Sequence, residues 1–220
     1  MIEREKYINT LVCGARAYGI MLDDNKISMF ETYTELLMSW NKKMNLISKR
    51  DTERFVEYHL LDSLKVSSCC DISVVRSLLD FGSGAGFPGI PLAIAFPEIR
   101  LSLVDSRLKQ CTFLKEVLKN IPYLKATVIH SRVENLPETL NGAFDMVITR
   151  ATSNLSTFFS LTARFIYRHG SLVAIKGDTI DDELHDLKNT IDSKLFNIYS
   201  TVPKAVKNVR QGNIVIIYCA

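Results

Sequence analysis

The chain has 220 residues, of which 47% are hydrophobic and 23% are charged, and its formal net charge is +3. These values are ordinary for globular proteins, so they exclude a disordered or fibrous protein and predict one large domain with a modest extension. A net charge of this size indicates a polyanionic partner only if the basic residues are clustered.

Segments that would direct the chain to a membrane or out of the cell are not found in the sequence. Residues 1–6 lack the basic start and apolar run of a secretory signal. The longest apolar stretch, residues 87–96, contains two prolines and is far shorter than the roughly 20 residues that cross a bilayer. The five cysteines include no Cys-x-x-Cys pair and no histidines stand at zinc-ligand spacing. We therefore expect a cytoplasmic monomer with reduced thiols and no metal site.

Residues 1–70 show the periodicity of amphipathic helices. Apolar side chains recur every three or four residues over 8–15, and a third helix is predicted over 53–66. The second helix carries one apolar stripe, which we interpret as core packing and not as a base-stacking platform. The stripe consists of Phe30, Tyr33, Leu37, Trp40 and Met44. These segments predict a helical extension over residues 1–70.

After residue 70 the pattern changes to short apolar runs that alternate with amphipathic stretches. Such alternation is typical of βα units and predicts an α/β domain over residues 71–220, with a Rossmann-like, mostly parallel sheet and helices on both faces. The predicted helices lie near 90–95, 107–120, 155–167 and 180–189. The predicted strands are seven: 77–81, 100–104, 125–129, 144–148, 171–175, 196–202 and 214–219.

A glycine-rich turn follows the first predicted strand. Asp80 is followed by Gly82, Gly84 and Gly86, and glycines in such a turn permit unusual dihedral angles and a close approach of a ligand to the backbone. Phe87 stands where the dinucleotide fingerprint requires glycine, which disfavours a nicotinamide cofactor. No Gly-Lys-Ser/Thr follows, so a P-loop is excluded.

An acidic residue ends the second predicted strand. Asp105 follows Gly86 by 19 residues, close to the offset of about 20 at which a carboxylate reaches ribose hydroxyls in doubly wound folds. A tight turn capped by an ordinary aspartate is the structural alternative. The carboxylate of Asp80 suits a cationic sulfonium better than a pyrophosphate, which favours S-adenosylmethionine as the cofactor. Val133 and Glu134 follow the third strand, where the adenine would lie.

Two basic residues end predicted strands at the carboxyl edge, where ligands bind in open α/β sheets. Arg150 is the candidate catalytic residue after strand four, with a structural salt bridge as the alternative. Lys176 after strand five is a second candidate that would contact RNA or orient a base, unless it is only solvated. His59 and Asp62 are three residues apart and share a helix face.

Basic residues are concentrated in two segments. Residues 41–54 contain five basic and two acidic residues, and residues 203–211 contain three basic residues and no acid. If both segments flank the carboxyl edge of the sheet, they would hold phosphate and give salt-dependent binding. Solvated surface charge is the alternative.

Several of these motifs together resemble the bacterial 16S ribosomal RNA guanine-N7 methyltransferases, the RsmG or glucose-inhibited division protein B family. The likeness runs from Trp40 through Gly177 and includes residues 45–51, 59–63, 80–91, 131–134, 148–151 and 176–177. It implies a class I methyltransferase with cofactor contacts at Gly82, Phe87, Val133, Glu134 and Arg150. Tyr58 departs from the family, which usually has a basic residue there.

The resemblance implies methylation of a guanine in small-subunit ribosomal RNA, either as naked RNA or within the subunit. Guanine N7 carries a lone pair and no proton, so the transfer requires positioning and no general base. The Asn/Asp-Pro-Pro-aromatic segment of exocyclic-amine methylases is missing after strand four, which fits ring-nitrogen methylation. Two alternatives remain open: a small-molecule methyltransferase, and a non-catalytic ribosome-assembly factor with the same fold.

Overall fold

The computed structural model describes residues 4–150 and 153–219. Its centre is a seven-stranded sheet in the order β3-β2-β1-β4-β5-β7-β6. β7 runs antiparallel to both of its neighbours, and the other pairs are parallel. The predicted seven-stranded, mostly parallel sheet is confirmed. The strands are β1 (Ser77–Phe81), β2 (Arg100–Asp105), β3 (Ala126–His130), β4 (Phe144–Arg150), β5 (Ile166–Ile175), β6 (Phe196–Thr201) and β7 (Ile214–Cys219).

Helices precede the sheet and connect its strands. None of the helices in the described part of the chain combines the length and hydrophobicity of a membrane span. The α-helices are α1 (Arg4–Ala17), α2 (Asp24–Met44), α3 (Lys49–Thr52), α4 (Asp62–Leu64), α5 (Gly89–Ala95), α6 (Leu108–Asn120), α7 (Leu155–Thr162) and α8 (Asp181–Thr190).

The third predicted helix, residues 53–66, is helical but irregular. A π-helical turn, Val56–Leu61, is followed by α4 and then by a 3-10 turn, Lys65–Ser68. The π-helical turn places His59, Leu60 and Leu61 in buried positions. Single π-helical turns are uncommon and often lie at functional sites.

The predicted helix over 155–167 is wrong at its end. α7 stops at Thr162, a short 3-10 turn follows, and β5 already begins at Ile166 and not at residue 171. Phe144 pairs with Ile166 but Met146 pairs with Ser171, so residues 167–170 form a bulge. Three of these residues are exposed, which hides the strand from a prediction based on hydrophobic alternation.

The two faces of the sheet are covered by different helices. Leu78 and Leu103 belong to a hydrophobic cluster that also contains α1, α2, α5 and α6. Leu79 and Val104 point the other way, into a cluster with α7 and α8. This alternation follows the period of two along a strand and confirms helices on both faces. The helical extension therefore shares one core with the sheet, and a domain boundary at residue 70 stays a prediction.

Tyr33 of α2 links the helical extension to the glycine loop. Its side chain is fully buried, and its hydroxyl donates a hydrogen bond of 2.6 Å to the carbonyl of Ala85. Its ring also lies edge-on to Phe87, at a centroid distance of 5.7 Å. The stripe on α2 is thus core packing, as predicted, and one of its members also supports the loop.

We predict that Tyr33→Phe lowers the free energy of unfolding by about 1–3 kcal/mol, because the buried Ala85 carbonyl loses its donor. Tyr7→Phe is the matched control, since Tyr7 is also buried in the helical extension. Its partner Thr34 keeps a hydrogen bond to the carbonyl of Phe30, so the loss should stay below about 1 kcal/mol. Urea denaturation measures both values, and equal losses would contradict the role given to Tyr33.

Candidate functional site

The glycine loop joins β1 to α5 at the carboxyl edge of the sheet. Gly82, Gly84 and Gly86 have φ angles of 71°, 58° and 100°, a region that favours glycine. The room for a Cβ atom differs between Gly86 and Gly84. A Cβ on Gly86 would lie 2.7 Å from Cγ1 of Ile90, so this glycine is required for packing. A Cβ on Gly84 would approach no atom closer than 3.8 Å, so this part of the backbone is open.

Asp105 lies beside the loop at the end of β2. Its carboxylate accepts hydrogen bonds from the Gly84 backbone N–H at 2.8 Å and from the Arg107 backbone N–H at 2.9 Å. The Arg107 side chain adds two more, each of 3.1 Å. Burial raises the pKa of Asp105, but the bonds from Arg107 and Gly84 outweigh burial and hold that pKa below its ordinary value. Asp105 is therefore ionised at neutral pH.

A cleft of about 430 Å³ opens beside Asp105. It is formed by the ends of β1 and β2 and by the turn after β3, and its lining residues include the predicted Gly82, Asp105, Val133 and Glu134. Gly84, Gly86, Phe87, Asp80 and Arg150 are not among its lining residues. The complete set is Phe81, Gly82, Val104, Asp105, Ser106, Arg107, Ser131, Arg132, Val133 and Glu134.

Asp80 is fully buried under the glycine loop. Its Oδ2 accepts a hydrogen bond of 2.9 Å from the Gly89 backbone N–H, while Oδ1 has no hydrogen-bond partner within the described residues. Burial raises the pKa of Asp80 to about 7, although Gly89 and Arg150 both act to lower it. The carboxyl is thus poised between its neutral and ionised forms near neutral pH.

Arg150 ends β4 and contacts the helical extension. Its Nη1 donates to Oδ2 of Asp62 at 3.1 Å and to the carbonyl of Tyr58 at 3.2 Å. Its Nη2 lies 2.9 Å from Nδ1 of His59, and its guanidinium lies over the ring of Phe87 at 4.7 Å. The structure therefore brings the predicted Arg150 and Phe87 together with His59 and Asp62.

His59 is a neutral, buried member of this cluster. Its ring stacks on Phe87 at a centroid distance of 4.7 Å. Because Arg150 can only donate, Nδ1 of His59 accepts and its proton stands on Nε2. Nε2 lies 3.8 Å from Oδ2 of Asp51, too far for a hydrogen bond. Burial and the charge of Arg150 lower the pKa of His59 to about 4.

One residue of each basic segment lies close to the cluster around Arg150 and Asp62. Asp51, in the segment 41–54, lies next to His59. Lys65, whose Nζ forms a 2.7 Å ion pair with Oδ1 of Asp62, donates to the carbonyl of Arg210 at 3.2 Å. The angles of that ion pair are not those of a hydrogen bond. Both segments thus contact the cluster around Arg150 and Asp62.

Lys176 lies one strand away from Arg150, since Arg150 pairs with Ile175 across β4 and β5. Its Nζ donates to the carbonyl of Ser153 at 2.8 Å and forms an ion pair of 2.8 Å with Glu183. Its side chain is only 11% exposed, so both contacts position the segment after β4. Direct contact of Lys176 with a substrate stays a prediction, and Ala151 of the predicted motif 148–151 lies outside the described residues.

Three contributors to the site were not found from the sequence. Tyr33 supports the loop from α2, Arg107 engages Asp105, and Arg164 donates to the backbone of the turn after β3. Nη2 of Arg164 reaches the carbonyls of Leu136 at 3.0 Å and Val133 at 3.5 Å. Only Arg107, two residues after Asp105, carried a signal in the sequence; the other two contacts come from distant elements.

A glycine loop after β1, an acid at the end of β2 and a cleft at the carboxyl edge are the features by which doubly wound α/β folds hold nucleoside ligands, and the strand order β3-β2-β1-β4-β5-β7-β6 belongs to a Rossmann-like methyltransferase fold. Solved structures show the same fold. The chain superimposes on the precorrin-6y C5,15-methyltransferase of Geobacter metallireducens with a TM-score of 0.52 and 13% identity, covering 80% of this chain and 91% of that one. The tRNA (m1A58) methyltransferase of Aquifex aeolicus gives a TM-score of 0.51 and 12% identity, covering 72% and 68%.

The chain belongs to the rRNA small subunit methyltransferase G family, whose profile matches residues 26–213. Proteins named ribosomal RNA small subunit methyltransferase G are similar over most of the length. That of Thermoanaerobacter sp. (strain X514) is 34% identical over 190 residues, which cover 86% of this chain and 79% of the relative. That of Caldanaerobacter subterraneus is 36% identical over 191 residues, covering 86% and 80%. The resemblance stated from the sequence motifs is confirmed.

We predict that acid weakens the fold through His59. The folded-state pKa of about 4 lies below the ordinary 6.5, so between these values only the unfolded chain takes up the proton. Stability from this group is therefore present above pH 6.5 and is lost as pH falls toward 4. His59→Gln, which can still accept from Arg150, should lose about 2 kcal/mol less than the original chain between pH 7.5 and pH 5. Urea denaturation at both pH values measures this, and equal losses would show that His59 is already charged when folded.

Proposed function

We propose that the chain transfers a methyl group from S-adenosylmethionine to N7 of a guanine in small-subunit ribosomal RNA. The observation that carries the proposal is the cleft beside Asp105, which lies next to the glycine loop in a chain of the rRNA small subunit methyltransferase G family. The names of its relatives supply the ribosomal RNA substrate, and the family resemblance supplies N7 as the acceptor.

The residues of the cleft fit the cofactor. Gly82 lines the cleft and the backbone at Gly84 beside it is open, so a ligand would be able to approach the loop, and the ionised Asp105 would accept hydrogen bonds from the ribose. Val133 and Glu134 would hold the adenine. When bound, S-adenosylmethionine supplies an electrophilic methyl group that the N7 lone pair of guanine accepts without losing a proton.

Asp80 would respond to the positive charge of the donor. Its Oδ1 is buried without a hydrogen-bond partner in the described residues, and its pKa of about 7 leaves part of the population protonated. A cation near this carboxyl would favour the ionised form and be stabilised by it. Asp80 thereby supports a sulfonium-bearing ligand over a pyrophosphate.

Arg150 and Phe87 would form the wall of the site between cofactor and guanine. Their contacts with His59 and Asp62 hold the end of β4 against the helical extension. This arrangement restricts the positions of both side chains, and positioning of the reacting groups is the main contribution that such a transfer needs. Because N7 of guanine carries no proton, the transfer needs no general base, and we assign no such role to the neutral, buried His59.

The two basic segments would bind the RNA backbone. Each segment has one contact with the cluster around Arg150, through the Asp51 carboxylate and the Arg210 carbonyl, so basic side chains of both segments would hold phosphates on the side of the molecule where Arg150 lies. Binding through several Lys and Arg side chains should weaken steeply as salt rises. The segments contribute Lys42, Lys43, Lys49, Arg50, Arg54, Lys204, Lys207 and Arg210. We further propose that the protein acts in the cytoplasm, where it would meet ribosomal RNA.

The proposal is tested by incubating the protein with S-adenosylmethionine and unmodified small-subunit RNA, either naked or assembled, and mapping 7-methylguanine by mass spectrometry. We expect one modified guanine. Asp105→Asn should lower the transfer rate at least about tenfold, because the amide offers one acceptor oxygen in place of two.

Asp71→Asn is the control, since Asp71 is exposed and lies before β1, at the opposite edge of the sheet. It should leave the rate unchanged. Methylation of another atom would reject guanine N7, and methylation of a small molecule alone would reject the RNA substrate.

A further inference from the structure

The carboxylate of Asp105 already has as many donors as it can accommodate. Oδ1 accepts from the backbone N–H and Nε of Arg107, and Oδ2 accepts from the Gly84 N–H and Nη2 of Arg107. A carboxylate offers about four acceptor positions. A ribose diol that binds this carboxylate therefore has to replace donors that are present.

The backbone donors and the side-chain donors differ in how easily they can move away from the Asp105 carboxylate. The backbone N–H groups of Gly84 and Arg107 belong to the glycine loop and to the start of α6, and both are held by the fold. The Arg107 side chain is 61% exposed, whereas Asp105 is 3% exposed. Arg107 also lines the cleft, and its Nη2 lies 3.8 Å from the position that a Cβ on Gly84 would occupy. The guanidinium is thus the donor that can move away.

Resting on the proposed function, we propose that the Arg107 guanidinium occupies the positions on Asp105 that the ribose of the cofactor requires, and so competes with the cofactor. Arg107 would then set cofactor affinity by masking the carboxylate. The two backbone N–H groups would keep the carboxylate aimed at the cleft whether or not Arg107 is engaged.

If Arg107 competes with the ribose, removal of its guanidinium should lower the stability of the free protein but raise its affinity for the cofactor. Removing the guanidinium leaves a nearly buried carboxylate with two backbone donors, so the free protein becomes less stable. The same removal frees two acceptor positions, so the ribose binds without displacing a charged group. A merely structural role for Arg107 would lower both quantities together.

The test compares Arg107→Met, which keeps the length of the side chain and its backbone N–H, with the original chain. Isothermal titration with S-adenosylhomocysteine gives the dissociation constant, which we expect to fall about twofold to fivefold, as for loss of a partly exposed ion pair. Thermal denaturation without ligand should show a melting temperature about 2–4 °C lower. Saturating ligand should remove most of that difference.

Lys109→Met is the charge-matched control, because Lys109 is exposed on α6 and does not line the cleft. Its affinity should match that of the original chain. Arg107→Lys keeps the charge but not the planar fork, so its dissociation constant should lie between that of the original chain and that of the Arg107→Met variant. The gain from Arg107→Met should also shrink as NaCl is raised, since salt weakens the Arg107–Asp105 pair in the original chain.

Equal or weaker binding by Arg107→Met, with the original chain binding normally, would overturn the masking role and leave the proposed function intact. Failure of the original chain to bind S-adenosylhomocysteine at all would instead overturn the proposed function. A gain of the same size in Lys109→Met would show a general charge effect and would also overturn the role of Arg107.

Discussion

Arg150 leaves the end of β4 and meets Asp62 of the helical extension at 3.1 Å, with side chains only 16% and 6% exposed. Asp62 also pairs with Lys65 at 2.7 Å, so loss of Asp62 would leave two largely buried cations without their carboxylate and would cost about 3–5 kcal/mol. The Arg150–Asp62 pair places the π-helical turn against the sheet and keeps His59 stacked on Phe87. Because one residue of each basic segment contacts this same cluster, the arrangement connects the proposed RNA surface to the glycine loop. Arg150, which we propose lies beside the reacting groups, therefore also holds the helical extension against the sheet.

The glycine loop is supported from three directions. Asp105 binds the N–H of Gly84 from β2, and Asp80 binds the N–H of Gly89 from below. Tyr33 binds the carbonyl of Ala85 from α2. These contacts order the backbone before any ligand is present, which reduces the entropy that binding has to overcome. They also show that the loop depends on the helical extension as well as on the strands that flank it.

Much of the fold could be predicted because apolar periodicity marks buried strands directly: β1 and β7 were predicted with the bounds that they have. The start of β5 was missed since a bulge at residues 167–170 interrupts the alternation. Asp105 and the glycines of the loop were found because their spacing along the chain reflects the βα unit. Tyr33 was not found because its role arises from packing between distant elements, and Arg107 was not found because its position two residues after Asp105 does not give the direction of its side chain. The four hydrogen bonds that occupy the Asp105 carboxylate are also seen only in the structure, because the spacing of residues along the chain does not reveal them.

The proposed adenosine site consists of the ionised Asp105 and the glycine loop, next to Arg150 and Phe87. A crystal structure of the protein with S-adenosylhomocysteine tests it most directly. The expected arrangement has the ribose hydroxyls on Asp105, the adenine beside Val133, and the Arg107 guanidinium withdrawn from the carboxylate. A ligand bound at full occupancy elsewhere, or an empty cleft at saturating concentration with the Arg107–Asp105 contact intact, would contradict it.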